Sequence, residues 1–369
     1  MTVSTAPLLV TRDPSIEAEL RRLAAAAGTS LDVVAHPHDA RTRWASAPVV
    51  LLGPDCLAAV VDIAPGRREG VHVVSNGPVP GDLFRRALSV GAESVAELPA
   101  AEAWLVESLT DSVDGSTSRA AVVAVVGGCG GAGATTFAAA LAVAAAAEVR
   151  SGDRGSDALP VTLIDTDPLG PGIERVAGLD DVDGARWGPL HESAGRLGSR
   201  ALRSSLPQRD GLAVLGWGPG ARVTLEPGVV REVVSAAGRG SALVVVDLPR
   251  RLDRATEELL HRCDHLVVVS PTTLLSVASA AQVVGRVLPL VPNAHLVARG
   301  RASSFEPDEV AGVFGIPLAA VMRDQRRLAE SLELGLGPPR SRRGPLAQAA
   351  RTILGRVRTH DPLGTRGLT

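Results

Sequence analysis

The chain contains no lysine, since all 38 of its basic residues are arginine, set against 40 acidic residues for a net charge of −2. It also lacks tyrosine and holds only four Trp and four Phe. Without lysine, Schiff-base chemistry, a lysine general base and a phosphate-loop lysine are all excluded. The scarcity of aromatic rings argues against base-stacking platforms, and the balanced charge argues against a globally basic nucleic-acid coat.

Cysteine is also scarce, and the three present, Cys56, Cys129 and Cys263, lie far apart without a CxxC pair. This odd, sparse set predicts neither a disulfide framework nor a zinc site. The N-terminus has no basic region followed by a long apolar one, so no signal peptide is predicted. We therefore expect a cytoplasmic protein, with a peripheral position at the inner face of the membrane as an open alternative.

One run of 28 uncharged residues, Ala120–Ala147, has the length of a membrane span. It contains five glycines between Gly127 and Gly133, followed by Thr135 and Thr136. These glycines would break a spanning helix near its middle and leave backbone groups unpaired in lipid. We therefore predict a strand, a glycine-rich turn and an Ala-rich helix over the same residues.

Alternating apolar and helical segments predict two parallel, doubly wound α/β domains with a linker between them. The first domain covers residues 1–110, the small polar segment 111–119 is the linker, the second domain covers 120–358, and 359–369 form a tail. Hydrophobic residues make up 45% of the chain, which suffices for two cores. The predicted strands are Pro7–Val10, Val49–Leu52, Val71–Val74, Val122–Val126, Val161–Ile164, Leu212–Leu215, Leu243–Val246, His265–Val269, His295–Val297 and Ala319–Met322.

The last 30 residues, Arg340–Thr369, carry seven arginines and one acidic residue. Five apolar residues recur among them at helical spacing, namely Leu346, Ala350, Ile353, Leu354 and Val357. We favour a final helix that packs this stripe on the sheet and leaves its arginines in solvent. A basic amphipathic helix that lies on anionic lipid is the alternative.

The strongest motif is Val122–Thr136, VVAVVGGCGGAGATT, in which an apolar strand leads through a glycine-rich turn into a helix. Backbone N–H groups of such a turn can surround an anion, and the helix N-terminus adds partial positive charge. The phosphate-loop pattern GxxxxGK[ST] fits except that alanine stands at the lysine position, and the following threonine is placed to bind Mg²⁺. The candidate nucleotide-contacting residues are Gly128, Cys129, Gly130, Gly131, Ala132, Gly133, Ala134, Thr135 and Thr136.

Carboxylates follow two further apolar strands. Asp165 and Asp167 lie in LIDTDP about 30 residues after the loop, a spacing that suits one strand–helix–strand unit. Asp247 ends the strand that begins at Leu243. An aspartate at a strand end often only caps the next helix. The ordered set of loop and acidic strand ends nevertheless favours a nucleotide site at the carboxyl edge of a parallel sheet.

These motifs, together with VVVDLP and the later segments 263–272 and 322–338, resemble the MinD/ParA group of deviant-Walker P-loop ATPases. The closest likeness is to its CpaE-like branch, which includes septum site-determining proteins, and it covers residues 120–358. The resemblance implies ATP and Mg²⁺ as cofactors. It also implies that Asp167 positions the attacking water and that Thr135 and Asp247 serve Mg²⁺.

The family's loop normally holds two lysines, one of which reaches across an ATP-sandwiched dimer, and here Ala134 and Cys129 stand in their places. Each phosphate-facing donor typically contributes ~10²–10³ to the rate, so weak or absent ATP hydrolysis is expected. The resemblance implies a regulatory protein that positions the division septum or a secretion or pilus apparatus. Protein partners from that machinery, and a homodimer, are implied with it.

Two alternatives stay open for this second domain. One is an active, ATP-dependent dimerising switch. The other is a ParA-like, DNA-associated positioning protein, which is less favoured because only Arg340–Arg358 offers a basic surface.

The first domain resembles a response-regulator receiver, and hence a flavodoxin-like fold. Asp13 follows its first strand, and residues 87–92, ALSVGA, match the receiver-like ALxxGA. Gly53 stands where a phospho-accepting aspartate is expected, Asp55 comes two residues later, and Leu98-Pro99 replaces lysine-proline. We predict a degenerate receiver that docks to protein, with Asp55 as a shifted phosphate acceptor as the alternative.

Overall fold

The structure is a computed structural model that describes residues 6–66, 68, 70–77, 79, 81–113, 120–152, 158–192, 197–218, 224–300, 305–338 and 343–360. The chain divides into two compact units, Met1–Thr117 and Ser118–Thr369. Each unit is built on its own sheet, and the predicted α/β fold class is confirmed for both.

The first unit alternates strands and helices. Its strands are β1 (Leu8–Val10), β2 (Asp32–Val34), β3 (Val50–Leu52), β4 (Val71–Asn76) and β5 (Ser94–Leu98). Its helices are α1 (Pro14–Ala26), α2 (Pro37–Trp44), α3 (Pro54–Ile63), α4 (Gly81–Ser89) and α5 (Glu102–Val113). All strand pairs are parallel in the order β2-β1-β3-β4-β5. Leu8 and Leu9 enter separate hydrophobic clusters, so the central strands are buried on both faces, as their apolar runs require.

The strands β2 and β5 were not predicted from the sequence. Both lie at the edges of the sheet, where several side chains are only half buried and the apolar pattern is weak. Helix α5 ends at Val113, so residues 111–113 are helical rather than part of the predicted linker 111–119. Residues 114–119 lie outside the described residues.

The second unit continues the alternation. Its strands are β6 (Val122–Gly127), β7 (Val161–Asp165), β8 (Gln208–Arg209), β9 (Leu212–Leu215), β10 (Leu243–Leu248), β11 (His265–Pro271), β12 (Ala294–Arg299) and β13 (Leu318–Met322). Its helices are α6 (Ala134–Ser151), α7 (Ile173–Ala177), α8 (Trp187–Glu192), α9 (Ser199–Ser205), α10 (Pro227–Gly240), α11 (Arg254–Leu260), α12 (Leu274–Val287), α13 (Pro307–Phe314), α14 (Leu328–Glu333) and α15 (Pro345–His360), with a short 3-10 turn at Leu288–Leu290. The strand order is β13-β12-β11-β6-β10-β7-β9-β8, and among the described pairs β8–β9 alone is antiparallel.

The uncharged run Ala120–Ala147 forms strand β6, a loop and most of helix α6, as predicted. Small residues on α6 let it lie close to the sheet, with Phe137 and Leu141 fully buried between them. Within the part of the chain that the structure describes, every helix is too short or too polar to span a bilayer.

The C-terminal helix α15 packs its apolar stripe into the domain. The five stripe residues named above are at most 3% exposed and belong to the core that α6 helps to form. Arg358 Nη1 donates to Glu148 Oε2 at 2.7 Å, and Arg356 Nη2 donates to Leu318 O at 3.1 Å. The stripe is therefore not available to a lipid surface in this fold. The helix ends at His360, so the first two residues of the predicted tail 359–369 are helical, and 361–369 lie outside the described residues.

Candidate nucleotide-binding site

Three strand ends meet at one edge of the second sheet. The strands β6, β10 and β7 are neighbours, and their register pairs Asp247 with Val125 on one side and with Asp165 on the other. Because parallel strands end at the same edge, the loop after β6 and the acidic ends of β10 and β7 come together there. The predicted juxtaposition of loop and carboxylates is thus present in the fold.

The loop between β6 and α6 depends on its glycines. Gly131 and Gly133 have φ angles of 72° and 88°, in the left-handed region that glycine alone adopts without strain. A Cβ added at Gly128 would lie 2.5 Å from Ala280 Cβ, and the Ser279 hydroxyl donates to Gly128 O at 3.0 Å. The loop is thus closely packed on α12, and helix α6 starts directly after it with the unpaired N–H groups of a first turn.

Two buried carboxylates lie beside this loop. Asp165 is 1% and Asp247 is 2% exposed, and among the described residues Asp165 Oδ2 and Asp247 Oδ1 have no hydrogen-bond partner. Burial is the main cause that raises the pKa of both carboxyl groups. The carboxylates of Asp247 and Asp167 raise the pKa of Asp165 further, and that of Asp167 raises the pKa of Asp247 further. The nearby Thr135 side chain partly opposes the rise in the pKa of Asp247. A cation beside these carboxyl oxygens and the hydroxyl would favour the ionised forms of both aspartates.

A magnesium ion fits this donor set. Mg²⁺ prefers oxygen ligands and is usually held by one or two carboxylates, with waters and substrate phosphates completing its shell. Among the described residues there is no cluster of three or more His, Cys, Asp and Glu that would hold a metal unaided. A cation at Asp247 and Thr135 would therefore depend on oxygens from a bound phosphate or from water.

Asp167 lies at the rim of the same edge and is half-buried. Its N–H donates to Asp165 Oδ1 at 2.9 Å, and its own Oδ1 accepts from Leu169 N at 3.0 Å. This turn holds the Asp167 carboxylate close to the buried pair. Sequence reasoning correctly brought Asp167, Asp247 and the loop to one place.

Small side chains occupy both positions that the family resemblance assigns to lysine. Ala134 is half-buried at the start of α6. Cys129 Sγ lies 3.5 Å from Ser276 Oγ at the start of α12 and packs against the core below the loop. Neither position presents a charge to the space that the loop encloses.

Sequence reasoning missed two arginines that contact the loop. Arg299, the last residue of β12, donates from Nη1 to Gly131 O at 3.0 Å and to Ala132 O at 3.2 Å. Arg250, just beyond β10, donates from Nη2 to Ser279 Oγ at 3.1 Å. Both arginines follow apolar strands at the same sheet edge as the aspartates, and that shared position is the signal that could have found them.

At the carboxyl edge of the first unit's sheet, side chains of the same unit close the space around Gly53. Asp55 Oδ1 accepts from Thr11 Oγ1 at 2.8 Å, and Asp55 Oδ2 accepts from Arg12 N at 2.7 Å. Burial opposes ionisation of Asp55, but these hydrogen bonds outweigh it and lower its pKa. A Cβ at Gly53 would collide with the Asp55 and Thr11 side chains. Asp13 caps α1, its Oδ1 accepting from Ser15 N at 2.8 Å.

Comparisons with known proteins agree with this architecture. Residues 10–121 match the family described as Rv3660c-like, CheY-like N-terminal domain. The second unit is similar in fold to a ParA family ATPase from Chlorobium tepidum, with a TM-score of 0.54 and 19% identity over 63% of this chain and 96% of that one. It is also similar to the septum site-determining protein MinD of Pyrococcus horikoshii in complex with Mg-ADP, with a TM-score of 0.52 and 19% identity over 66% and 98% of the two chains.

The chain thus has a CheY-like unit followed by a P-loop unit of the ParA/MinD fold, which confirms the predicted resemblance to a receiver and to the MinD/ParA group. The chain is 39% identical to the uncharacterized protein Rv3660c of Mycobacterium tuberculosis H37Rv, across 348 residues that cover 93% of this chain and 95% of that protein. The chain belongs to this Rv3660c-like family.

Proposed function

We propose that the second unit binds ATP with Mg²⁺ and hydrolyses it weakly or not at all. The observation that carries this proposal is the buried pair Asp165 and Asp247, whose unpartnered oxygens face a phosphate-loop fold that has lost its lysines. When bound, Mg²⁺ would neutralise charge on the phosphates. Thr135 and Asp247 would hold it, and the N–H groups of Gly130, Gly131 and residues 133–136 would hold the phosphates.

Weak hydrolysis follows from the loop's missing charges. In this proposal Asp167 orients the attacking water, and the turn that fixes its carboxylate supports that role. Orientation alone does not stabilise the charge that develops on a transferring phosphoryl group, and each missing donor there costs ~10²–10³ in rate. ATP would then act mainly as a bound ligand that fixes one state of the protein.

We further propose that the protein acts in placing the division septum or a secretion or pilus apparatus, through protein partners and as a homodimer. The ParA/MinD fold of the second unit supports a positioning role. The closed edge around Gly53 supports docking, rather than phosphate transfer, as the task of the first unit. Two arginines of α15, Arg356 and Arg358, are engaged within the domain, which favours protein partners over lipid or DNA at that helix.

Thermal unfolding tests the binding proposal. A ligand that binds only the folded state stabilises it by RT ln(1 + [L]/Kd), which is about 2.7 kcal/mol at a ligand concentration of 100 Kd. ATP with MgCl₂ should raise the melting temperature of the intact chain, and Asp247→Asn should abolish that rise. Asp308→Asn, which removes an exposed carboxylate elsewhere in the second unit, is the matched control and should keep it.

A turnover assay on the same proteins tests the proposal of weak hydrolysis. Phosphate release by the wild-type chain should stay near the uncatalysed background in MgCl₂. Metal-dependent turnover of ordinary P-loop ATPase size, lost in Asp167→Ala, would replace the proposal with the active dimerising switch.

A further inference from the structure

The register of the sheet places Arg299 within reach of the phosphate loop. Strand β11 pairs Val269 with Gly127 at the end of β6, and pairs Pro271 with Arg299 at the end of β12. Arg299 therefore lies level with a point two residues beyond the end of β6, where the loop already turns. A long side chain starting there extends across the loop rather than along the sheet.

The Arg299 guanidinium lies directly on the loop. Besides its bonds to Gly131 O and Ala132 O, its Nη1 would be 3.0 Å from a Cβ at Gly133, so glycine leaves the room that this arginine uses. The Arg299 side chain is 34% exposed, which leaves it open to a solvent anion. Its Nη2 lies 3.4 Å from Asp324, whose side chain is 79% exposed, and such an exposed ion pair is weak.

These contacts also orient the loop. In a trans peptide the C=O and the next N–H point in opposite directions. Since Arg299 holds the carbonyls of Gly131 and Ala132 on its side, the N–H groups of Ala132 and Gly133 point away from it. Ala132 N indeed donates across the loop to Cys129 O at 3.3 Å. A cation on the carbonyl side makes both amides stronger donors on the other side. The Ala132 N–H uses this to close the loop on Cys129 O, so the Gly133 N–H is the one that would serve a phosphate.

Arg250 approaches a different part of the loop. Its Nη1 would be 3.7 Å from a Cβ at Gly130, and it reaches Gly128 through Ser279, whose hydroxyl donates to Gly128 O. Its side chain is exposed. Arg250 is therefore next to the position of Cys129, while Arg299 is next to that of Ala134.

We propose that Arg299, assisted by Arg250, supplies from outside the loop the positive charge that its missing lysines do not. Arg299 is a positioning residue here, because it acts on a phosphate through the Gly133 amide that it orients and through the electric field of its charge. Arginine suits the role since its planar guanidinium stays charged and can hold two carbonyls at once. This inference rests on the proposed function, because it assumes that the loop takes a nucleotide phosphate.

The test is an equilibrium titration of the intact chain with ATP, ADP and AMP, each in MgCl₂. Arg299→Gln should weaken ATP and ADP binding by roughly 10-fold, the size expected for one charge-assisted interaction. It should leave AMP binding nearly unchanged, since the loop of a P-loop protein cradles the phosphates beyond the first. Arg250→Gln should have a smaller effect, and Arg231→Gln, an exposed arginine of α10, should have none.

A second variant separates charge from structure. Adding Ala134→Lys to Arg299→Gln restores a cation inside the loop, and it should recover most of the lost ATP affinity. If Arg299 only holds the fold together, lysine at position 134 will not rescue binding. Melting temperatures of all variants, without nucleotide, show whether each one folds.

The outcomes distinguish the two proposals. If the wild-type chain binds none of the three nucleotides, the proposed function and this inference both fail. If the wild-type chain binds ATP and Arg299→Gln binds it equally well, only the inference fails. A loss of affinity that is the same for AMP as for ATP, or that lysine does not rescue, also overturns it.

Discussion

The two units differ at the same place, the carboxyl edge of a parallel sheet. In the first unit, Thr11 and Asp55 fill the space beside Gly53 and satisfy each other's hydrogen bonds. In the second, Asp165 and Asp247 remain buried with unpartnered oxygens among the described residues. An edge whose polar groups satisfy one another needs no ligand to be stable, whereas buried carboxyl groups with unpartnered oxygens are stabilised by a ligand that pairs with them. The comparison indicates that the first edge is structural, and it supports the proposal that the second binds a ligand.

The largest effect that would sharpen this comparison comes from returning a cation to the loop. Ala134→Lys should raise ATP turnover by roughly 10²–10³-fold, because it restores one phosphate-facing donor beside carboxylates that are already in place. Ala147→Lys, at an exposed position on the same helix, adds the same charge away from the loop and should change nothing. Phosphate release in MgCl₂ measures both. Equal turnover in the wild type and in Ala134→Lys would mean that the missing lysine does not limit the reaction.

The next effect concerns Asp167. In the Ala134→Lys background, Asp167→Ala should remove about 10²-fold of turnover, the usual contribution of a group that handles the attacking water's proton. ATP affinity should stay nearly unchanged, since Asp167 lies at the rim and the proposed metal ligand is Asp247. Turnover and titration on the same double variant check this. A parallel loss of affinity would assign Asp167 to binding instead.

A smaller effect is expected from a substitution that disrupts the closed edge of the first unit. Gly53→Ala places a methyl group against Asp55 and Thr11 and should destabilise the unit by about 1–3 kcal/mol, as overpacking does. Gly66→Ala, with nothing near its added Cβ, is the control and should be close to neutral. Hydrogen exchange of peptides from β1 and β3 in the full chain reports the local loss. Unchanged protection at Gly53→Ala would show that this edge has room after all.

The smallest effect is a pH dependence at the same edge. Since the folded-state pKa of Asp55 is lowered, its ionised form adds stability above the unfolded pKa, and that stability is lost as the pH falls through the folded pKa. Protection of the β1 and β3 peptides against hydrogen exchange should therefore weaken as the pH falls, once the pH dependence of the intrinsic exchange rate is corrected for. Asp55→Asn should flatten this dependence. A wild-type edge insensitive to acid would show that the Asp55 hydrogen bonds carry little stability.

Much of this architecture could be predicted because long apolar strands specify both their burial and their ends. The strand before the loop and the strand before Asp247 are buried on both faces, so the sequence alone places Thr135 and Asp247 at one edge. The edge strands Asp32–Val34 and Ser94–Leu98 escaped prediction because partial exposure dilutes their pattern.

Strand-end position could have marked the two arginines as candidates, but their contact with the loop could not be predicted from it. Arg299 meets Gly131 across a sequence separation of 168 residues, through a register that only the assembled sheet defines. The role of Gly53 could not be predicted from the sequence either. A glycine in place of an aspartate shows that an acceptor is missing, but not that Asp55 has folded back into its space.

Calorimetric titration of the intact chain with ATP, in MgCl₂ and in excess EDTA, tests the central claim most directly. The buried pair beside Thr135 predicts measurable ATP binding in MgCl₂ that weakens at least about 10-fold when the metal is removed. Absence of ATP binding in MgCl₂, or equal affinity in EDTA, would contradict it and leave the second edge as structural as the first.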